Sequence, residues 1–309
     1  MADYHYKRVV AGRAPYCLYE VDRERKIATI IFNKPDKLNM ADSEEYMQLT
    51  ARVIEAGEDP DVKVIIMKGA GDHFSSGADT TLIINDDKLK PGEVERPRSL
   101  GFRTVELRNS AYGRRGFNQT SHNSPKVTIC QVHGYCYGGH YQIASGCDFI
   151  IASEDAMFTH PGYRYIGPMG EDMALMILKI GLTKTKEIMF TGRGLTAQEA
   201  LECGLVNKVV PQDNLEEETN KLADLICRQA AESLYIGKQN FNTALAIMGK
   251  QAMSSAGLAA HVWAHMMRSE PDEFNLVREG RKGGTKGALK ANKERWADNS
   301  LVKGKSSKQ

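Results

Sequence analysis

The chain has 309 residues, of which 41% are apolar and 26% charged. That is the profile of a globular protein with one large core, a domain of about 250 residues with appendages. A formal net charge of +2 gives no reason to expect nucleic acid as the main partner, and no run of about 18 apolar residues is present to cross a membrane.

The opening stretch, MADYHYKRVVAGRAPY, carries no apolar segment of signal-peptide length. Six cysteines, Cys17, Cys130, Cys136, Cys147, Cys203 and Cys227, form no C-x-x-C pair and sit mostly in apolar runs. They read as buried, reduced thiols and point to a cytoplasmic setting.

In chain order, residues 27–32 (IATIIF) read as a strand running into the turn Asn33-Lys34-Pro35-Asp36. Asp42 and Glu45 are spaced as a capping box. Tyr46, Leu49, Val53 and Ala56 then repeat at helical spacing up to Gly57. Strands follow at 62–68, 127–132 and 148–152, separated by helical stretches, which predicts α/β layering with crossovers between parallel strands. Residues 81–124 are rich in charge, Gly, Asn and Ser and carry six arginines. They read as a long insertion covering one face, with one helix around 99–111. Beyond residue 171 the pattern is mostly helical, with breaks at Gly181 and Gly204, and beyond 214 almost wholly so. The final VKGKSSKQ reads as a frayed tail.

Two glycine-containing turns follow predicted strands: His73-Phe74-Ser75-Ser76-Gly77-Ala78-Asp79, and His133-Gly134-Tyr135-Cys136-Tyr137-Gly138-Gly139-His140 leading into a helix. Small residues let backbone approach a ligand closely. Two N–H groups converging on one oxygen, one of them at a helix N-terminus, make an oxyanion hole.

These turns, together with Phe32 through Asn39, Pro125 through His140, Cys147 through Phe158 and Thr191 through Val210, resemble the ordered motifs of the enoyl-CoA hydratase/isomerase (crotonase) superfamily. The likeness runs from about residue 18 to about residue 296. It implies an α/β fold, a crotonase-like spiral of ββα units, with a helical C-terminal trimerisation region. The expected division is a core over 1–215, a helical region over 216–296 and a flexible tail over 297–309. It implies trimers, often paired as hexamers. It also implies an acyl-CoA substrate whose thioester oxygen is held by two backbone N–H groups, placed by position at Ser76 and Gly139. Coenzyme A enters as part of the substrate, with no permanently bound cofactor; Lys34, Lys37, Ala78, Asp79 and Lys282 are its expected contacts. Arg281, Lys286 and Lys290 are further cations in reach of its phosphates. No metal-ligand spacing is present.

The chain departs from the standard hydratase at both catalytic glutamates. Gln142 occupies the first position and Gly162 the second, and His140 replaces the third glycine of its loop. An amide can orient water but cannot serve as a general base. The expected replacement is Glu171, with Asp172 as runner-up; His140 and His160 are alternatives, since imidazole titrates near neutral pH. The expected activity is hydration/dehydration or isomerisation of an unusual enoyl-CoA. Hydrolytic C–C cleavage of a cyclic β-oxo-acyl-CoA and a non-catalytic acyl-CoA-binding protein are the alternatives.

Overall fold

The computed structural model describes residues 15–79, 117–165, 173–264 and 270–296. The helix expected around 99–111, most of the insertion, Glu171, Asp172 and the tail lie outside the described residues.

Strand β1 (Cys17–Asp22) pairs antiparallel with β2 (Ile27–Phe32). Helix α1 (Ser43–Glu58) opens with the expected box: Glu45 N–H donates to Asp42 Oδ1 at 2.9 Å, and Asp42 N–H to Glu45 Oε2 at 2.7 Å. The chain returns as β3 (Val64–Gly69), then as α2 (Phe117–Asn123) and β4 (Val127–Val132). The short β5 (Tyr135–Tyr137) runs straight into α3 (Gly138–Gly146), followed by β6 (Phe149–Ser153), β7 (Met157–Thr159) and α4 (Gly162–Tyr165). Next come α5 (Met173–Thr191), β8 (Leu195–Thr196), α6 (Ala197–Glu202) and β9 (Lys208–Val210). The end is helical: α7 (Leu215–Cys227), α8 (Ala231–Ile247), α9 (Lys250–Ala264) and α10 (Leu276–Arg295). Gly181, at φ 78° and ψ 158°, breaks α5 as its sequence pattern implies.

The main sheet has the order β1-β2-β3-β4-β6-β9. Every pairing from β2 onward is parallel, so each link needs a crossover. Both sheet faces are covered, which explains why β3 and β4 read as unbroken apolar runs. One face packs Leu49, Val53, Met67, Ile143 and Met176 into the larger core. The other packs Ile66, Ile129 and Ile151 against Leu215 and Ala223 of α7. A second sheet, β5-β7-β8, stands beside it.

The expected insertion boundary needs correction. Residues 117–123 form α2, packed on α1 and α3, and Thr120, Ser121, His122 and Ser124 are buried. Polar residues survive there because the C-terminal helices partner their backbone: Lys238 Nζ donates to Ser121 O and Asn242 Nδ2 to His122 O, each at 3.4 Å. The same Lys238 ammonium, 5% exposed, donates to Asp148 Oδ2 at 2.6 Å and Lys126 O at 2.8 Å. Asp148 in turn accepts from Thr128 N–H at 2.7 Å. Helix α8 is thereby fastened to the sheet at the β4–β6 junction.

All six cysteines are free, four of them buried. Among the described residues no helix is long and apolar enough to cross a membrane.

Candidate active site

The two glycine turns lie against each other. Ser75 N–H donates to Tyr135 O at 2.7 Å and Tyr137 N–H to Ser75 O at 3.0 Å. Gly77 has φ +99°, and a Cβ there would fall 2.8 Å from Tyr137 O and 3.3 Å from Gly138 Cα. Both the left-handed backbone and the close approach demand glycine. Across the contact, a Cβ on Gly138 would sit 3.9 Å from Ala78 N.

Backbone accounting then identifies which donors remain. Ser76 N–H is spent on Leu38 O at 2.9 Å, Gly77 N–H on Ser75 Oγ at 3.0 Å, and Asp79 N–H on Ala41 O at 2.8 Å. Ala78 N–H has no acceptor among the described residues, and Ala78 is exposed. Gly139 lies in the first turn of α3, where amides have no intrahelical acceptor, and the N-cap residue Tyr137 supplies no side-chain cap. The expected pairing of Ser76 with Gly139 is therefore corrected: the turn offers Ala78, two residues on, as the unspent donor. The Ser76 N–H is instead used to hold the turn to Leu38 O.

His140 points into the core rather than a pocket. It is fully buried and packs edge-on to Phe32, ring centroids 4.8 Å apart. Tyr16 Oη donates to Asn39 O at 2.6 Å and lies 2.9 Å from His140 Nε2. Since the tyrosine proton is committed to Asn39, Nε2–H is the donor. Nδ1 is then the acceptor from Tyr46 Oη at 3.3 Å. Burial pushes the imidazole pKa down to about 3, so it is neutral, satisfied and remote from catalysis as a base. Asn39 anchors the same knot. Its side-chain amide donates to Ala70 O and His73 O at 2.8 Å each, and its main-chain carbonyl accepts from Ser75 Oγ at 2.6 Å. Tyr16, Asn39 and Ser75 thus connect the α3 entrance to the Ser75–Ala78 turn. The motif reading includes Asn39 and Ser75 without giving them a role and omits Tyr16; the sequence signal is the Asn at a turn, found here at φ +52°.

Gln142 lies three residues past Gly139 on α3, 2% exposed, with its Nε2 buried and unpartnered among the described residues. His160, at the end of β7, is half-buried with its Nδ1 enclosed and likewise unpartnered. Burial, and then His261 nearby, lower its pKa to about 4. Of the expected coenzyme contacts, Lys34 already pairs with Glu45 at 2.8 Å and Lys282 with Glu279 at 2.8 Å. Lys37 is exposed. Tyr135 and Tyr137 share one face of β5 and stack at 4.8 Å; His73 stacks on Tyr135 at 4.2 Å, giving an aromatic ladder beside the turns. Helix α10 lies over α4, which begins at Gly162: Asn292 Nδ2 donates to Arg164 O at 3.1 Å, and the Arg164 guanidinium covers Trp296 at 4.9 Å. Among the described residues no cluster of His, Cys, Asp or Glu could hold a metal ion.

The strand-to-helix turn of a parallel sheet thus presents unspent amides beside a second glycine turn. The enoyl-CoA hydratase/isomerase family model matches residues 110–271. The short-chain-enoyl-CoA hydratase of Clostridium acetobutylicum is 30% identical over 72% of this chain and 80% of that protein. An enoyl-CoA hydratase/isomerase of Xanthobacter autotrophicus Py2 is 27% identical, covering 92% of this chain and 99% of that one, with a TM-score of 0.75. An enoyl-CoA hydratase of Mycobacterium smegmatis is 26% identical, covering 94% and 97%, with a TM-score of 0.76. The chain belongs to the enoyl-CoA hydratase/isomerase family and has the crotonase fold.

Proposed function

We propose that this protein is an acyl-CoA thioester enzyme that holds the thioester oxygen between the N–H groups of Ala78 and Gly139. The observation that carries this reading is the pair of unspent backbone donors on two touching turns, one of them in the first turn of a helix. Donors fixed before reaction stabilise the enolate oxygen that forms when C2 loses a proton or C3 gains a nucleophile. Removing one such donor typically costs about 10²–10³ in rate. The acyl chain then lies along α3 past Gln142, whose amide orients a substrate or water oxygen without acting as base.

The reaction is hydration/dehydration or isomerisation of an unusual enoyl-CoA, with Glu171 as the acid/base residue. Glu171→Gln lowers kcat by about 10²–10⁴; an unchanged kcat removes Glu171 from the mechanism. Coenzyme A is bound as part of the substrate and not as a resident cofactor. Phe241, Ile247 and Trp263 on α8 and α9 are 72%, 83% and 58% exposed, which supports self-association through the helical region into a trimer or hexamer.

The test is a mass-spectrometric screen of enoyl- and dienoyl-CoA thioesters in heavy-oxygen water. Label gained with mass marks hydration; unchanged mass with a shifted ultraviolet spectrum marks isomerisation. Thioester binding without turnover of any member contradicts the enzyme reading and favours an acyl-CoA-binding protein.

A further inference from the structure

We propose that Tyr16 and His140 are positioning residues: a buried hydrogen-bond chain through them sets the spacing between the Ala78 and Gly139 N–H groups, and with it the polarisation of a bound thioester. The inference rests on the thioester reading above and adds what holds its two donors in register.

It starts from a histidine where the loop pattern has glycine. His140 directly follows Gly139 in the first turn of α3 and is fully buried. Burial keeps its imidazole neutral. A buried imidazole is costly unless both nitrogens are bonded, and here both are. Nδ1 accepts from Tyr46 Oη at 3.3 Å, and Nε2–H donates to Tyr16 Oη at 2.9 Å. Tyr16 Oη donates in turn to Asn39 O at 2.6 Å. From the other side, Ser75 Oγ donates to the same Asn39 O at 2.6 Å and accepts from Gly77 N–H at 3.0 Å. The chain therefore begins one residue after Gly139 and ends one residue before Ala78.

Tyr16, Asn39, Ser75 and His140 are all buried, so water does not compete for these bonds, and bonds in such surroundings polarise and stiffen one another. Two hydroxyls converge on Asn39 O and use both of its lone pairs. That oxygen is itself fixed, because the Asn39 side chain donates to Ala70 O and His73 O and accepts from Lys34 N–H at 2.9 Å. The other polar side chains of α3 lead elsewhere: Tyr141 Oη donates to Met176 Sδ and Ser145 Oγ to Tyr141 O. Among the described residues, His140 is the α3 side chain whose bonds reach the first turn. A donor stabilises an oxyanion only when aimed at it, and a misplacement of about 1 Å from a remote group can cost about 10²-fold in rate.

The experiment is difference infrared spectroscopy of crotonyl-CoA, carbon-13 labelled at the thioester carbonyl and bound to the full chain, with a urea unfolding midpoint for each protein. Wild type, Tyr16→Phe, His140→Leu and His140→Gln are compared. Wild type displaces the carbonyl stretch to lower frequency. Tyr16→Phe and His140→Leu cut the chain from opposite ends of one bond, and each loses about half of the displacement or more. Either one alone decides the question if the other does not fold. His140→Gln donates to Tyr16 and accepts from Tyr46, and keeps the displacement. A folded Tyr16→Phe or His140→Leu protein with a lowered midpoint and the full wild-type displacement overturns the inference, since the chain then only supports the fold. A loss in His140→Gln as large as in His140→Leu also overturns it. A wild-type carbonyl frequency equal to that in water overturns the thioester reading, and this inference with it.

Discussion

Replacing His140 with glutamine isolates the buried knot that joins the two turns. In the folded protein the imidazole is neutral, its pKa lowered by burial from the ordinary value near 6.5 to about 3. Between those values the unfolded chain takes up a proton that the folded chain refuses. Stability from this residue is therefore complete above about pH 6.5 and is lost as pH falls toward 3. By pH 5 the loss amounts to about 1–2 kcal/mol from this one histidine. A glutamine can donate to Tyr16 and accept from Tyr46 as the imidazole does, but cannot titrate. His140→Gln thus costs about 1 kcal/mol or less at pH 7.5, and loses about 1–2 kcal/mol less than wild type between pH 7.5 and 5. Urea unfolding midpoints across that range measure both numbers. Buried His122, with its pKa lowered to about 3, and half-buried His160, with its pKa lowered to about 4, contribute equally to both proteins and cancel. Identical pH dependence in the two would refute the placement of a neutral His140 in the core.

Ser76→Ala leaves thioester affinity within about twofold, because the substitution removes only the hydroxyl and keeps the main-chain N–H that serves Leu38; calorimetry of butyryl-CoA binding checks this. Gly77→Ala destabilises by about 1–3 kcal/mol, since its Cβ meets Tyr137 O at 2.8 Å in a backbone with φ +99°. It also weakens thioester binding by moving Ala78, so the titration and the unfolding midpoint shift together. Lys238→Met strands Asp148 beside Thr128 and costs about 2–4 kcal/mol, below the fully buried case because the Asp148 side chain is 27% exposed; chemical unfolding monitors it.

The fold was legible because its signals are local and mutually consistent. The Asp42–Glu45 box, the apolar runs of β3 and β4, and the break at Gly181 each follow from residue type and spacing. The short strands β5, β7 and β8 were not, since two or three residues carry too little periodicity to register, and the six-residue β1 went unread as a strand. Helix α2 was hidden because N-Q-T-S-H-N has no apolar stripe; its burial depends on Lys238 and Asn242, over a hundred residues away. At the site, motif order picked out two turns that the fold brings into contact, but not which amide keeps its N–H unspent. Which of Ser76, Gly77, Ala78 and Asp79 keeps its N–H free depends on where Leu38, Ala41 and Ser75 put their oxygens. That is a tertiary fact. His140 shows the same limit: a histidine beside an oxyanion glycine looks catalytic until Tyr16, Tyr46 and Phe32 are seen to enclose it.

The central claim is that Ala78 and Gly139 polarise a thioester carbonyl. Difference infrared spectroscopy of crotonyl-CoA, carbon-13 labelled at the thioester carbonyl and bound to the wild-type protein, tests it most directly. The account predicts a carbonyl stretch displaced to lower frequency on binding, with the displacement diminished in Gly77→Ala. A bound thioester whose carbonyl frequency matches that in water would contradict it.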